Sequence, residues 1–219
     1  MLKAVLFDLG GTLIHYDSEE ADLIKLEKRS LAALYRHLVA NSQMALPEAT
    51  FLMAVGSRVE AEWQATIASA RGGSIETPIK ATLADLGLSL TPTEWQVARQ
   101  VFYAPVHQAA TPRQGARQTL QVLSERGVAL GLLSNTFWAA DVHDADLAHF
   151  GLLDFLPIRL YSCDIGRSKP HPEAFEIALT ALGVEPNETV YVGDRLETDV
   201  EPARRLGLWG VLISVPFRN

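Results

Sequence analysis

A chain of 219 residues, 48% hydrophobic and 21% charged, carries enough apolar content to bury a core without covalent or metal staples. Its formal net charge of −7 excludes a broad nucleic-acid footprint, which needs clustered Lys and Arg. The lone cysteine, Cys163, excludes an internal disulfide and a cysteine-rich zinc site.

No apolar run approaches the length of a membrane span. The first run meets Asp8 at once and is too short for a signal peptide, so the expected compartment is the cytoplasm. An acidic balance still permits a small phosphorylated partner, because one lysine and one metal ion handle a single phosphate.

In chain order, residues 4–7 form the first short apolar run, and residues 128–133, 189–192 and 210–213 form three more. A fifth candidate is 158–161. Each is rich in Val, Leu or Ile, the pattern of parallel strands buried on both faces. Helical patterns lie between the later runs. Residues 114–126 stop at Gly127, residues 172–182 begin with Pro172 and stop at Gly183, and residues 201–206 stop at Gly207. This alternation predicts an α/β fold, a three-layer doubly wound parallel sheet with helices on both faces.

Residues 18–111 break the rhythm. They show amphipathic runs at 21–39, 48–70, 79–86 and 93–108, separated by breakers at 71–74 and 90–92. Thr91 or Thr93 caps the last of these helices, with Glu94 in its first turn. The predicted division is a core of 1–17 plus 112–219, with an all-α module at 18–111 inserted after the first strand. Trp63, Trp95, Phe102 and Tyr103 are assigned to the core of that module. His15, His143, His149 and His171 read as surface or turn residues, and Cys163 as a buried small residue.

In open parallel sheets the site lies beyond the carboxyl ends of the strands. The residues there are Asp8 and Gly10-Gly11-Thr12, then Ser134-Asn135, then Ser168-Lys169-Pro170, and then Gly193-Asp194 with Asp199. Three carboxylates, hydroxyls and a lysine suit an anionic substrate held with a hard divalent cation such as Mg²⁺. An Asp carboxylate also serves as a nucleophile toward phosphorus.

The order and spacing of these residues resemble the haloacid dehalogenase superfamily. Val5 to Leu13 is similar to its first motif, Leu132-Leu133-Ser134-Asn135 to its second, Lys169-Pro170 to its third, and Gly193-Asp194 through Asp199 to its fourth. The resemblance implies that Asp8 attacks phosphorus to form an aspartyl-phosphate. It implies that Asp8, the Gly10 backbone carbonyl and Asp194 hold Mg²⁺ with Asp199 in support. It also implies that Thr12, Ser134, Asn135 and Lys169 grip the substrate, Ser134 and Lys169 acting on the transferring phosphoryl group. The helical module becomes a cap over the site.

One position departs from the pattern. The family's phosphatases carry a second Asp two residues after the nucleophile, and here Gly10 stands there. That Asp supplies acid–base help typically worth about 10²–10⁴ in rate, so slow turnover is expected unless another group substitutes. His15 and Asp17 are the candidates in the adjoining loop. The first expectation is a phosphohydrolase acting on a small phosphomonoester. A metal-free 2-haloacid dehalogenase and a binding protein that has lost turnover are the alternatives.

Overall fold

A computed structural model describes residues 1–16, 20–41 and 45–213. Its centre is a five-stranded, all-parallel sheet built from β1 (Ala4–Phe7), β4 (Ala129–Ser134), β5 (Ile158–Tyr161), β6 (Thr189–Gly193) and β7 (Trp209–Leu212). The spatial order is β5-β4-β1-β6-β7. The chain winds outward from β1 to one edge, then returns to the far side of β1, so the order switches beside the central strand.

Alternation along the strands divides the core in two. Val5 and Phe7 face one hydrophobic cluster and Leu6 faces the other. The first cluster takes Ala116 and Leu120 of α5 (Ala116–Glu125) and Val142 and Leu147 of α6 (Ala140–His149). The second takes Ala174, Phe175 and Ala178 of α8 (Pro172–Leu182) and Ala203 of α9 (Glu201–Arg205). This is the expected three-layer α/β architecture. A four-residue helix, α7 (Ser162–Ile165), follows β5, and a single π-turn over Leu196–Val200 leads into α9.

Among the described residues, four helices stand ahead of α5 between the first and second strands of the sheet. They are α1 (Glu20–Ala40), α2 (Glu48–Ser69), α3 (Glu76–Asp85) and α4 (Pro92–Ala109). Leu31, Leu34 and Leu38 recur on one face of α1 and are fully buried, together with Phe51 and Val55 of α2 and Ile79 of α3. Thr91 caps α4: its hydroxyl accepts from the Glu94 amide while the Glu94 carboxylate accepts from the Thr91 amide. Of the four aromatic residues assigned to the core of this segment, Phe102 and Tyr103 are buried and Trp95 partly so, but Trp63 is 38% exposed. Trp63 rests on Phe137, which lies outside the helical segment, with ring centroids 5.4 Å apart.

The two chain crossings into and out of this segment pair with each other. β2 (Ile14–Tyr16) and β3 (Ala110–Pro112) form a two-stranded antiparallel ribbon. The sequence pattern did not announce it, because three-residue strands with His or Pro inside carry no periodic signal. No helix among the described residues is long and apolar enough to cross a membrane.

Candidate active site at the carboxyl ends of the strands

Register brings the catalytic candidates level. Phe7 pairs with Leu132 on one side and Val192 on the other, so Asp8, Ser134 and Asp194 all emerge within two residues of one line across the sheet. The Asp8 amide donates to the Val192 carbonyl at 2.9 Å, which fixes where β1 ends. Asp8, Thr12, Ser134, Lys169 and Asp199 are all buried.

The Lys169 ammonium sits at the centre. It donates to Asp8 Oδ1 at 2.8 Å, to Asp199 Oδ1 at 2.7 Å and to Tyr191 Oη at 2.6 Å. Those three bonds use its full donor complement. Asp199 is held in turn by the Arg195 amide, which donates to Oδ2 at 3.1 Å. The Thr12 hydroxyl lies 3.5 Å from Asp8 Oδ2. Asn135 spends both ends of its amide on the Lys169 backbone: Nδ2 donates to the Lys169 carbonyl at 2.7 Å and Oδ1 accepts from its amide at 2.8 Å. So Asn135 reaches the site through Lys169.

Two glycines allow the acidic loops to meet. Gly11 has φ of +76°, and a Cβ there would fall 2.2 Å from Asp194 Oδ2. A Cβ on Gly193 would fall 2.4 Å from Asp199 Oδ2. Gly10 is different: a Cβ there meets nothing within 4 Å. Arg113, just after β3, donates to the Gly11 carbonyl at 2.7 Å and ties the ribbon to this turn. His15 lies on β2 at intermediate exposure, and Asp17 lies outside the described residues.

Charge at the site is unbalanced. Ligand oxygens of Asp8, Asp194 and Asp199 all lie within 4.8 Å of one another, against a single ammonium. Burial pushes the Asp8 carboxyl up to about 6, opposed by Lys169 and reinforced by Asp199 and Asp194. Burial, then Asp199, raises Asp194 as well. The flanking carboxylates hold Lys169 cationic, well above its ordinary range despite burial. Hard oxygen donors with an excess of negative charge are what a divalent cation such as Mg²⁺ relieves, so the donor set fits that ion.

Tyr191 is the member that sequence reasoning missed. It reads as one more bulky residue of a buried strand. The available signal was its hydroxyl, which must find a partner when buried. Here it accepts from Lys169 and donates to the Leu133 carbonyl at 2.8 Å, while Phe175 packs edge-on against its ring. Cys163 is half-buried, and burial with Asp164 beside it pushes the thiol up to about 12, the opposite of an activated nucleophile.

A glyceraldehyde 3-phosphate phosphatase of Methanocaldococcus jannaschii is 34% identical over 96 residues, 44% of this chain and 41% of that protein. The chain thus spans about two fifths of that relative's length. A validoxylamine A 7'-phosphate phosphatase of Streptomyces hygroscopicus subsp. limoneus is 27% identical over 212 residues, 96% of this chain and 85% of the relative. A solved 2-haloacid dehalogenase of Pseudomonas syringae pv. Tomato shares the fold with a TM-score of 0.67 and 22% identity, over 97% of this chain and 86% of that one. The family model for haloacid dehalogenase-like hydrolases matches residues 2–207, nearly the whole chain, and the chain belongs to that family.

Proposed function

We propose that this chain is a Mg²⁺-dependent phosphohydrolase of small phosphomonoesters that works through Asp8. The observation that carries the reading is the Asp8 carboxylate, buried on Lys169 Nζ at 2.8 Å within a three-carboxylate cluster at the switch point of the sheet. The phosphatase names of relatives support it. Asp8, the Gly10 backbone carbonyl and Asp194 would hold Mg²⁺, with Asp199 supporting. Bound there, the ion supplies positive charge against the transferring oxygens.

An Asp8 oxygen attacks phosphorus, and the bond to the leaving alcohol oxygen breaks. The alcohol oxygen takes up a proton from solvent, and the phosphoryl group rests on Asp8 as an acyl phosphate. Water then attacks phosphorus, the Asp8–phosphorus bond breaks, and inorganic phosphate leaves with the carboxylate restored. Lys169 offsets repulsion between Asp8 and the incoming dianion and stabilises charge on the equatorial oxygens. Ser134 and Thr12 offer hydroxyl donors, and Asn135 fixes the Lys169 backbone. Helices α1–α4 act as the cap that excludes water and selects the substrate. With glycine at position 10, neither proton transfer has its usual carboxyl, so turnover is slow.

The test is Mg²⁺-dependent phosphate release from an aryl phosphate, run on wild type beside Asp8→Asn. Activity that needs both the metal and Asp8 supports the reading. Activity surviving in Asp8→Asn removes the nucleophile assignment. Chloride release from 2-chloropropionate without metal, in the absence of phosphate release, would replace the reading with dehalogenation. Silence in both assays would leave a binding role.

A further inference from the structure

A second buried polar cluster lies apart from the carboxylates, where the cap meets the core. It joins β2, α4, α6, α7 and the loop after β4. The Tyr16 hydroxyl, on β2, donates to Asp146 Oδ2 of α6 at 3.0 Å and lies 3.0 Å from His143 Nδ1 of the same helix. His143 Nε2 lies 2.6 Å from Thr136 Oγ1, in the loop after β4. That Thr136 oxygen accepts from the Trp138 amide at 3.0 Å. At the other end, His107 Nδ1 of α4 lies 2.6 Å from Asp146 Oδ1. The Thr136 amide and carbonyl are both bonded to the Ser162 hydroxyl at the start of α7.

The proton positions follow from the donor inventory. A phenol has one proton, and Tyr16 gives it to Asp146, so His143 Nδ1 must donate to the Tyr16 oxygen. Burial presses the His143 imidazole down to about 4, so the ring is neutral near pH 7 and Nε2 is an acceptor. Thr136 therefore donates to Nε2 at 2.6 Å, in preference to the Trp138 carbonyl at 3.3 Å. The chain then runs from the Trp138 amide through Thr136, His143 and Tyr16 to Asp146. Trp138 and Tyr161 both stack on the His143 ring, with centroids 5.8 and 5.4 Å away.

Thr136 directly follows Ser134 and Asn135. We propose that Tyr16, through His143 and Thr136, is a positioning residue that locks the Ser134–Asn135 loop to the β2–β3 ribbon at the base of the helical segment. The proposal rests on the reading of Ser134 and Lys169 as the phosphoryl-gripping groups, with Asn135 fixing the Lys169 backbone. The loop holds Lys169 through the paired Asn135 bonds, so a shift of Thr136 displaces both the hydroxyl and the ammonium that face phosphorus. Tyr16 ends β2 and pairs with Ala110 of β3, where the chain returns from the helical segment, so its hydroxyl ties that ribbon to the loop of the grip.

The experiment compares wild type, Tyr16→Phe, Thr136→Val and the double variant. It reads aryl-phosphate kinetics, thermal unfolding, and hydrogen–deuterium exchange of the peptide covering residues 134–138 against the β1 peptide. Tyr16→Phe is expected to lower kcat by about tenfold to a hundredfold with KM little changed, the cost of a misplaced transition-state contact. Exchange should rise at 134–138 and not in β1. Thr136→Val breaks the same chain, so the double variant should lose little more than either single one. Unchanged kcat in Tyr16→Phe overturns the proposal, as does exchange that rises everywhere or nowhere, or losses that multiply. If Tyr16→Phe does not fold, Thr136→Val alone decides by the same readouts. A wild type without phosphatase activity sinks the phosphohydrolase reading instead, and local exchange then decides whether Tyr16 positions the loop.

Discussion

Lys169 Nζ and Tyr191 Oη lie 2.6 Å apart, and the phenol passes its own proton to the Leu133 carbonyl at 2.8 Å. The tyrosine therefore fixes the third direction of an ammonium whose other two donors go to Asp8 and Asp199. A buried charge held this way is costly to orphan. Lys169→Met should destabilise the metal-free protein by about 3–5 kcal/mol near pH 8, because the carboxylates lose the only buried cation among the described residues. The deficit should shrink near pH 5, where Asp8 takes up a proton below its value of about 6. Urea unfolding of wild type and variant at both pH values measures it, and a deficit independent of pH would remove the electrostatic cause.

Tyr191→Phe separates the hydrogen bonds from the ring. The aromatic contact with Phe175 stays, while the bond to Lys169 is lost and the Leu133 carbonyl loses its donor. A stability loss of about 1–3 kcal/mol is expected from the orphaned buried groups. Phosphate release should fall too, since Lys169 gains freedom to turn away from phosphorus. A variant as stable and as fast as wild type would show that Asp8 and Asp199 suffice to hold the ammonium.

The two glycines after the nucleophile predict opposite outcomes. Gly11→Ala places a Cβ on Asp194 Oδ2 in a left-handed backbone conformation, so it should lose both stability and metal response. Gly10→Asp meets no atom within 4 Å and should fold normally. It should also raise kcat by about 10²-fold or more, by restoring the acid and base that the acyl phosphate needs. Steady-state kinetics on both variants checks this. No gain in Gly10→Asp would show that another group already transfers the proton.

Much of this site was legible because its residues directly follow buried strands. Runs of Val and Leu apolar on both faces have few alternatives, and the run at Ile158–Tyr161 matches its strand end for end. Lys169 was legible from the Lys-Pro pair. What could not be read was contact between distant segments. His143 looks like a surface residue in a helix rich in Asp and Ala, yet it is buried because Tyr16, Trp138 and Tyr161 close around it. Trp63 reads as helix core but lies half-open against Phe137, because the apolar stripe of α2 is filled by Phe51, Val55 and Val59 instead. The partner of Asn135 lies 34 residues away and has no local signature.

Metal binding should be visible without catalysis. An ion that binds only the folded chain stabilises it by about 2.7 kcal/mol at a hundred times its dissociation constant. Mg²⁺ should therefore raise the melting temperature of wild type, and Asp194→Asn should lose the rise. Protons compete for the same oxygens. With Asp8 pushed up to about 6, the Mg²⁺ needed for a given rise should increase as pH falls below that value. A Mg²⁺ response that is the same at pH 5 and pH 8 would place the ion elsewhere.

His143 gives a pH dependence of folding with a definite sign. Its folded value of about 4 lies below the ordinary 6.5, so between these values the unfolded chain binds the proton and the folded one does not. Its contribution is present in full above pH 6.5 and is lost as pH falls toward 4, a range worth on the order of 3 kcal/mol. Asp8 runs the other way: its raised value favours folding at low pH, and that contribution fades as pH rises through 6. The two partly cancel in wild type, so the sum is uninformative. His143→Gln leaves Asp8 in place and removes only the imidazole titration. The unfolding free energy of wild type minus that of His143→Gln should therefore climb between pH 4 and 6.5 and level off above. A flat difference would mean that the ring is not held neutral, and the direction assigned to the Thr136–His143–Tyr16 chain would fall with it.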